Sequence, residues 1–327
     1  MLAYPVLLGD VGGTNARFAL IETAGGPLLP LPRQLTAAFA DPVAALAAAL
    51  AARPDLRPRA ALLAVAARVE GPVVPLTNAG WVFDPARIGE RLGLARVEVV
   101  NDYVPMAAAM EGLEPGDLAP LGTVAGAEGP RVVLGAGTGL GASALLPVGD
   151  RFLIQSTEAG HVEFGPAGAE EAALWALIEG THGRITAETL LSGPGLHRLA
   201  HALARAGGEQ AGYATPGDVV AAAGRGEAGA LAALHLFGRL LGRFAGDLAL
   251  LFGATGGVFI GGGIAPRIVA ALDVEFRRAF EHKPPFDGLT RRIPTAVVTH
   301  PDPALFGLAR LVAADGRFTY AASAWGR

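Results

Sequence analysis

The 327-residue chain has no cysteine, and its only lysine is Lys283. Without cysteine there are no disulfides, no thiolate chemistry and no Cys-ligated zinc. The scarcity of lysine excludes two common ways of holding ATP. A P-loop needs Gly-Lys-Ser/Thr, and a protein kinase needs a strand lysine on the phosphates. A chain of this composition that handles ATP must do so with backbone amides, hydroxyls and a metal. Charge is also sparse: 17% of residues are charged, the net charge is −4, and no basic run exists. Neither nucleic acid nor an anionic membrane is therefore expected as a partner. Residues 1–5 carry no basic region and no long apolar core follows, so no signal peptide is expected and the chain reads as cytoplasmic. The longest uncharged stretch, Leu248–Pro266, has the length of a membrane span but contains six glycines. At about 1 kcal/mol each in a helix, these favour a helix end, a turn and a buried strand.

What is abundant is apolar surface. Hydrophobic residues make up 51% of a chain about two domains long, enough to bury a large core. The chain is organised around Gly9–Arg17, GDVGGTNAR, between the apolar runs Tyr4–Leu8 and Phe18–Ile21. This reads as strand, glycine turn, strand, with backbone N–H groups, the Asp10 carboxylate and the Thr14 hydroxyl gathered at one spot. Nests of N–H groups of this kind bind phosphate. The layout recurs in Val132–Leu146, VVLGAGTGLGASALL, where Val6, Leu8, Gly9, Gly13 and Leu20 match Val132, Leu134, Gly135, Gly139 and Leu146. A third variant, Gly256–Pro266, runs an apolar strand into Gly261, Gly262 and Gly263. Three such turns predict two related halves facing a cleft, with a polyphosphate between the turns.

Alternating strands and helices predict an α/β fold with parallel or mixed sheets. Helices are expected at Asp41–Ala52, Pro85–Leu92, Pro105–Glu111, Glu170–Ile178, Pro216–Ala223, Ala228–Leu251 and Pro303–Ala314. Strands are expected at Ala60–Ala67, Val97–Val100, Phe152–Gln155 and Val258–Ile260, with Ala296–Val298 as the last. Short extended pieces are expected at Val73–Asn78 and Gly80–Phe83, with Trp81 packing. Gly112–Gly129, rich in glycine, proline and acids, reads as the domain crossover. The segment TAETLLSGPG, Thr186–Gly195, reads as a capped helix start followed by a Gly-Pro stop.

Asp102 lies just past the carboxyl end of an apolar strand, where α/β folds collect ligands. It is either a base that accepts a hydroxyl proton or the cap of the following helix. Glu158 and His161 are three apart in a glycine-containing loop. They suit vicinal hydroxyls, or a metal site with Glu163 as a further ligand, or a plain polar loop. Glu188 sits in a helical first turn, where the helix dipole alone accounts for an acid. Asn78, in LTNAGW, suits a polyol hydroxyl or a turn. Asp10 suits a Mg²⁺ ion held through water, because Mg²⁺ keeps most of its waters and takes few carboxylates. The remaining six histidines are scattered and carry no assignment.

Taken together, GDVGGTNAR at 9–17, TNAGW at 77–81, NDY at 101–103, GAGTGLG at 135–141, EAGHVEF at 158–164, AETLLSGPGL at 187–196 and GGVFIGGGIAPR at 256–267 resemble the bacterial glucokinases of the non-ROK, hexokinase-like type. The resemblance runs nearly end to end and keeps the order of the motifs. It implies the two-domain actin-like ATPase (ribonuclease H-like) fold with an inter-domain cleft, the small domain being 1–112 plus 299–327 and the large one 113–298. It also implies ATP and Mg²⁺, glucose as substrate, a place in glycolysis, and a homodimer. Carried over, Asp102 becomes the base on the glucose 6-hydroxyl, and Asn78, Asn101, Asp102, Glu158, His161 and Glu188 become sugar ligands. The phosphate loops become Gly9, Asp10, Val11, Gly12, Gly13, Thr14 and Asn15 with Gly137, Thr138 and Gly139, while Gly261–Gly263 lines the adenosine side. Two departures from the family pattern stand out. Ala159 replaces a frequent glycine and Tyr103 a frequent phenylalanine; neither displaces a ligand.

ROK sugar kinases fit poorly because their zinc motif needs cysteines. Kinases of other hexoses, a sugar-sensing regulator and a chaperone-like ATPase are the remaining alternatives.

Overall fold

A computed structural model describes residues 2–77, 79–122, 128–313 and 316–326, apart from the side chains of 273 and 274. The chain divides into two compact units. The first comprises Met1–Leu113, Leu145–Ser156 and His300–Arg327, the second Glu114–Ala144 and Thr157–Thr299. Asn78 lies outside the described residues.

In the first unit, the strands Val6–Val11 and Asn15–Ile21 form an antiparallel hairpin in the register Val6↔Ile21 to Val11↔Ala16. On its other side Val6–Val11 pairs in parallel with Ala60–Val65, which pairs in parallel with Arg96–Asn101. Ala60–Val65 is buried along its whole length, the signature of a strand covered on both faces. Asp41 and Asp84 start the helices Pro42–Leu50 and Pro85–Leu92, each by accepting backbone N–H bonds just ahead of a helical proline. One core joins Leu7, Phe18, Leu46, Leu63, Phe83 and Ile88 across these elements. Trp81 is buried with them, and its indole N–H donates to Phe39 O at 3.0 Å. The helix Pro303–Ala313 packs on helix Tyr103–Ala109 and on strand Val6–Val11, which brings the distal end of the chain onto the first hairpin's sheet.

The second unit repeats the plan. Strand Arg131–Ala136 is flanked on one side by residues 140–144 of the strand Leu140–Val148, and on the other by Gly257–Gly261 in parallel. Thr295–Val298 follows in parallel and Leu118–Pro120 closes that edge antiparallel. The 25-residue helix Ala228–Phe252 packs on helix Val269–Glu281. The uncharged stretch 248–266 is a helix end closed by Gly253 at φ 58, a turn, and the strand Gly257–Gly261. Among the described residues no helix is long and apolar enough to cross a membrane.

Two expectations are corrected. The Gly193-Pro194 pair does not stop a helix. It opens the helix Gly193–Ala206, because Ser192 accepts from Gly195 N and proline in the first turn gives up an N–H that has no partner there anyway. The last strand is not Ala296–Val298. Ser323–Gly326 pairs antiparallel with Arg96–Asn101 at the sheet edge, where Trp325 covers Gly89. A four-residue edge strand has too short a pattern to be read in advance. Helix Val269–Glu281 was also not foreseen, since Ile268 precedes it without a side-chain cap.

Candidate active site

The first hairpin turns in two residues, with Gly12 N donating to Asn15 O at 2.9 Å. Thr36, 2% exposed, straps the turn: its hydroxyl donates to Gly12 O at 3.0 Å and its N–H to Thr14 O at 3.0 Å. Thr14 itself is exposed at the tip. Asp10 stands near the carboxyl end of Val6–Val11. Burial pushes its carboxyl above the usual range, an effect that Arg17 opposes and Asp302 reinforces. Arg17 Nη1 lies 3.9 Å from Asp10 Oδ2 and 2.8 Å from Asp302 Oδ1, so one guanidinium serves two acids. Thr36, Arg17 and Asp302 were not identified as site residues in the sequence. The separation between Arg17 and Asp302 along the chain hides their pairing.

Two strands along the same sheet, the register places Val11, Val65 and Asn101 on one level. Two strand spacings put Asn101 roughly 10 Å from Val11. Asp102 N donates to Val65 O at 2.9 Å, so the sheet holds its backbone. The alternative of Asp102 as helix cap is settled by its neighbour. The Asp102 side chain makes no cap on helix Tyr103–Ala109, whereas Asn101 Oδ1 accepts from Tyr103 N at 3.0 Å. Asn101 Nδ2 donates to Ala67 O at 3.0 Å, which locks the amide.

In the second unit the organising group is the backbone of Leu140, which follows the Gly137–Gly139 turn. Leu140 N donates to Glu188 Oε2 at 2.8 Å. A Cβ on Gly139 would collide with that same carboxylate, and one on Gly160 would collide with Leu140 O. The turn thus brings the segment of Glu158 and His161 and the segment of Glu188 to one place. The two segments are also tied directly: Ala187 N donates to Val162 O and Phe164 N to Ile185 O, both at 3.0 Å. Glu188 lies in the four-residue helix Ala187–Leu190, where Thr186 and Thr189 form a reciprocal cap, so the helix start does not depend on Glu188. Glu158 Oε2 and His161 Nε2 are 3.9 Å apart and both exposed. Ala159 opens a 3₁₀ turn between them, a conformation that accommodates its Cβ. The metal alternative fails, since Glu163 faces Arg184 at 3.6 Å, and the described residues contain no metal-binding group of three or more His, Cys, Asp or Glu.

The third glycine turn joins the second. Gly262, at φ +83, lies so close to Ala136 O that a side chain would meet both strain and collision. Gly193 N, the first helical amide of Gly193–Ala206, donates to Gly137 O at 2.8 Å. Thr138, Gly262 and Gly263 are exposed around this junction. Exposed glycine turns beside a helix N-terminus form a surface suited to anionic oxygens.

A family model described as glucokinase matches residues 7–315. The glucokinase of Rhizobium meliloti (strain 1021) is 42% identical over 311 residues, covering 94% of this chain and 91% of the relative. That of Agrobacterium fabrum is 40% identical over 313 residues, covering 94% and 92%. A crystal structure of a glucokinase from an Antarctic psychrotroph superposes with a TM-score of 0.81 at 32% identity, covering 94% of this chain and 98% of that one. The glucokinase of Balamuthia mandrillaris, solved in complex with glucose, shares the fold at a TM-score of 0.76 and 23% identity, covering 94% and 93%. By the extent of these matches, and with its glycine turns and acids placed as described, the chain belongs to the glucokinase family.

Proposed function

We propose that the chain transfers the γ-phosphoryl group of ATP to the 6-hydroxyl of D-glucose, releasing ADP and glucose 6-phosphate. Family membership supports the reaction, and the convergence of Glu158, His161 and Glu188 on the Leu140 turn supports a polyol as substrate. In this reading Asn101, Glu158, His161 and Glu188 bond the sugar hydroxyls, with Asn78 as a further ligand. Glu188 Oε2 is committed to Leu140 N and Oε1 serves the sugar. A wrong epimer would leave such groups unpaired at a cost of about 1–3 kcal/mol each.

Asp102 accepts the proton of the 6-hydroxyl as the new O–P bond forms and the bond to ADP breaks. The locked Asn101 amide and the sheet bond from Asp102 N position that carboxylate. The three glycine turns receive the nucleotide, the first two at the phosphates and Gly261–Gly263 beside the adenosine. Asp10 fits a hydrated Mg²⁺, because burial leaves its carboxylate short of positive charge despite Arg17. When bound, the ion offsets negative charge on the transferring phosphoryl group.

In this reading the small domain of the fold is 1–112 with 299–327 and the large domain 113–298, although Leu145–Ser156 packs with the first unit. A homodimer and a cytoplasmic location, where ATP is available, belong to the same proposal. Sedimentation equilibrium decides the former.

The deciding experiment measures ADP release from purified protein with Mg-ATP and, in turn, glucose, mannose, fructose, glucosamine and N-acetylmannosamine. Strong glucose-dependent release with little from the other sugars is expected. Release that ignores sugar would overturn the reading in favour of an ATPase or sensor.

A further inference from the structure

Away from the residues just described, helix Gly193–Ala206 carries His197 and His201 one turn apart, on one face. Their Nε2 atoms are 3.1 Å apart, and both point at the carbonyl oxygen of Tyr213, at 2.9 Å from His197 and 3.1 Å from His201. The rings lie 4.2 Å apart between centroids, and both residues are half-buried. Two nitrogens and one oxygen thus form a nearly equilateral triangle.

At most two of the three contacts in such a triangle can be hydrogen bonds at once. A neutral imidazole carries at most one hydrogen on Nε2, and a carbonyl has none. If both nitrogens are protonated, both N–H groups converge on Tyr213 O, and the two nitrogens stand 3.1 Å apart with no bond between them. If one nitrogen is bare, it faces either the carbonyl or its neighbour, and one of the three contacts remains a meeting of lone pairs. A cation at the centre satisfies all three lone pairs at once. With ligand bonds of about 2.1 Å, donors stand about 3.0 Å apart in octahedral and about 3.4 Å apart in tetrahedral geometry. The observed 2.9–3.1 Å matches one face of an octahedron.

We infer that His197, His201 and the Tyr213 carbonyl form a binding site for a divalent first-row transition cation, with water completing the shell. Imidazole nitrogen selects Zn²⁺, Ni²⁺, Co²⁺ or Cu²⁺ over Mg²⁺ and Ca²⁺. Asp218 adds negative charge nearby. Its carboxylate is held ionised chiefly by the Thr215 hydroxyl and the Thr215 and Ala214 backbone. The site clamps helix Gly193–Ala206 to the chain leading into helix Pro216–Gly224. It is independent of the proposed reaction, since none of its donors belongs to the glycine turns or the sugar ligands.

The test uses untagged, chelator-stripped full-length protein titrated with Ni²⁺ or Zn²⁺ in competition with a chromophoric chelator. One equivalent is expected to bind, at least tenfold more weakly in His197→Gln and His201→Gln and unchanged in His235→Gln. The cation should raise the melting midpoint of the native protein and of His235→Gln but not of the other two. Cu²⁺-loaded native protein should show electron-spin coupling to two imidazole nitrogens, a readout that does not depend on any variant folding. Equal binding by native protein and His201→Gln, no site tighter than millimolar, or coupling to fewer than two nitrogens would each overturn the inference.

Discussion

In the first glycine hairpin the acid, Asp10, belongs to the strand itself; in the second it is Glu188, 48 positions beyond the Leu140 amide that it accepts from. The layouts match residue for residue at five positions, yet the division of labour is reversed. In the first unit the sheet holds the acids: Asp10 is a ladder residue and Asp102 N is bonded to Val65 O. In the second unit an acid holds the backbone, because Glu188 fastens the turn that follows Arg131–Ala136. Substituting an acid in the first unit should therefore change chemistry and leave the fold alone. In the second unit it should change both.

The largest expected effect is on Asp102. Asp102→Ala should lower kcat by about 10²–10⁴-fold, the usual contribution of a general base. ATP affinity and melting should stay close to native, the latter within about 0.5 kcal/mol. Steady-state kinetics, nucleotide titration and thermal melts measured on one preparation decide this. Activity above about a tenth of native would argue against the base role. A large loss of stability would break the contrast between the units.

Glu188 tests the other side. Glu188→Ala leaves the buried Leu140 amide without its acceptor, a cost of about 1–3 kcal/mol, and removes a sugar ligand as well. Glu188→Gln keeps an acceptor oxygen for the amide. The alanine variant should melt lower and lose activity, whereas the glutamine variant should melt close to native with a raised KM for glucose. If both melt alike, the carboxylate does not hold the turn.

The glycines give a smaller and purely steric version of the contrast. A Cβ on Gly139 meets the Glu188 carboxylate, whereas one on Gly12 finds its nearest neighbour, Asn15 O, at 3.7 Å. Gly139→Ala should push the Glu188 carboxylate aside and loosen its bond from Leu140 N, destabilising the ligand-free protein by about 0.5–1.5 kcal/mol. Gly12→Ala should melt within about 0.5 kcal/mol of native and show its effect only as a raised KM for ATP.

How much of this was legible in the sequence follows the same division. The first hairpin, the strand end just before Asp102 and the helices at 42–50 and 85–92 were readable, because local signals set them: glycine turns between apolar runs, and Asp-Pro starts. The sequence left open whether Asp102 is a base or the cap of the helix that follows it. Asn101 accepts the helix-start N–H instead, and only the bond from Tyr103 N reveals it. Glu188 was visible as a first-turn acid, but its bond to Leu140 N is a long-range contact that no local pattern encodes. Gly193-Pro194 carries both a stop and a start signal, and Ser192 decides for the start. Arg17 was part of a recognised motif, but its partner Asp302 lies 285 positions away. The His197–His201 spacing was present in the sequence; what gives it meaning is the Tyr213 carbonyl, which a loop brings over the helix.

The smallest expected effect concerns the charge on Asp10. Burial raises its folded pKa above 3.8, the ordinary value for an aspartate, and Arg17 opposes the shift without cancelling it. Between 3.8 and the raised value the folded chain binds more protons at this site than the unfolded chain, so this group's contribution to stability falls as pH rises through that window. Above the window the full cost of the buried charge is present; below 3.8 both states are protonated and the cost vanishes. Asp10→Asn should therefore melt higher than native at neutral pH, and the gain should shrink to nothing as the pH drops through the carboxylate range. Added Mg²⁺ should stabilise the native protein and leave Asp10→Asn nearly unmoved, because the ion compensates the charge that the variant lacks. A variant that melts below native at neutral pH would show that Arg17 already compensates Asp10 fully. The first hairpin would then rest on its acid as the second rests on Glu188, and the contrast between the two units would disappear.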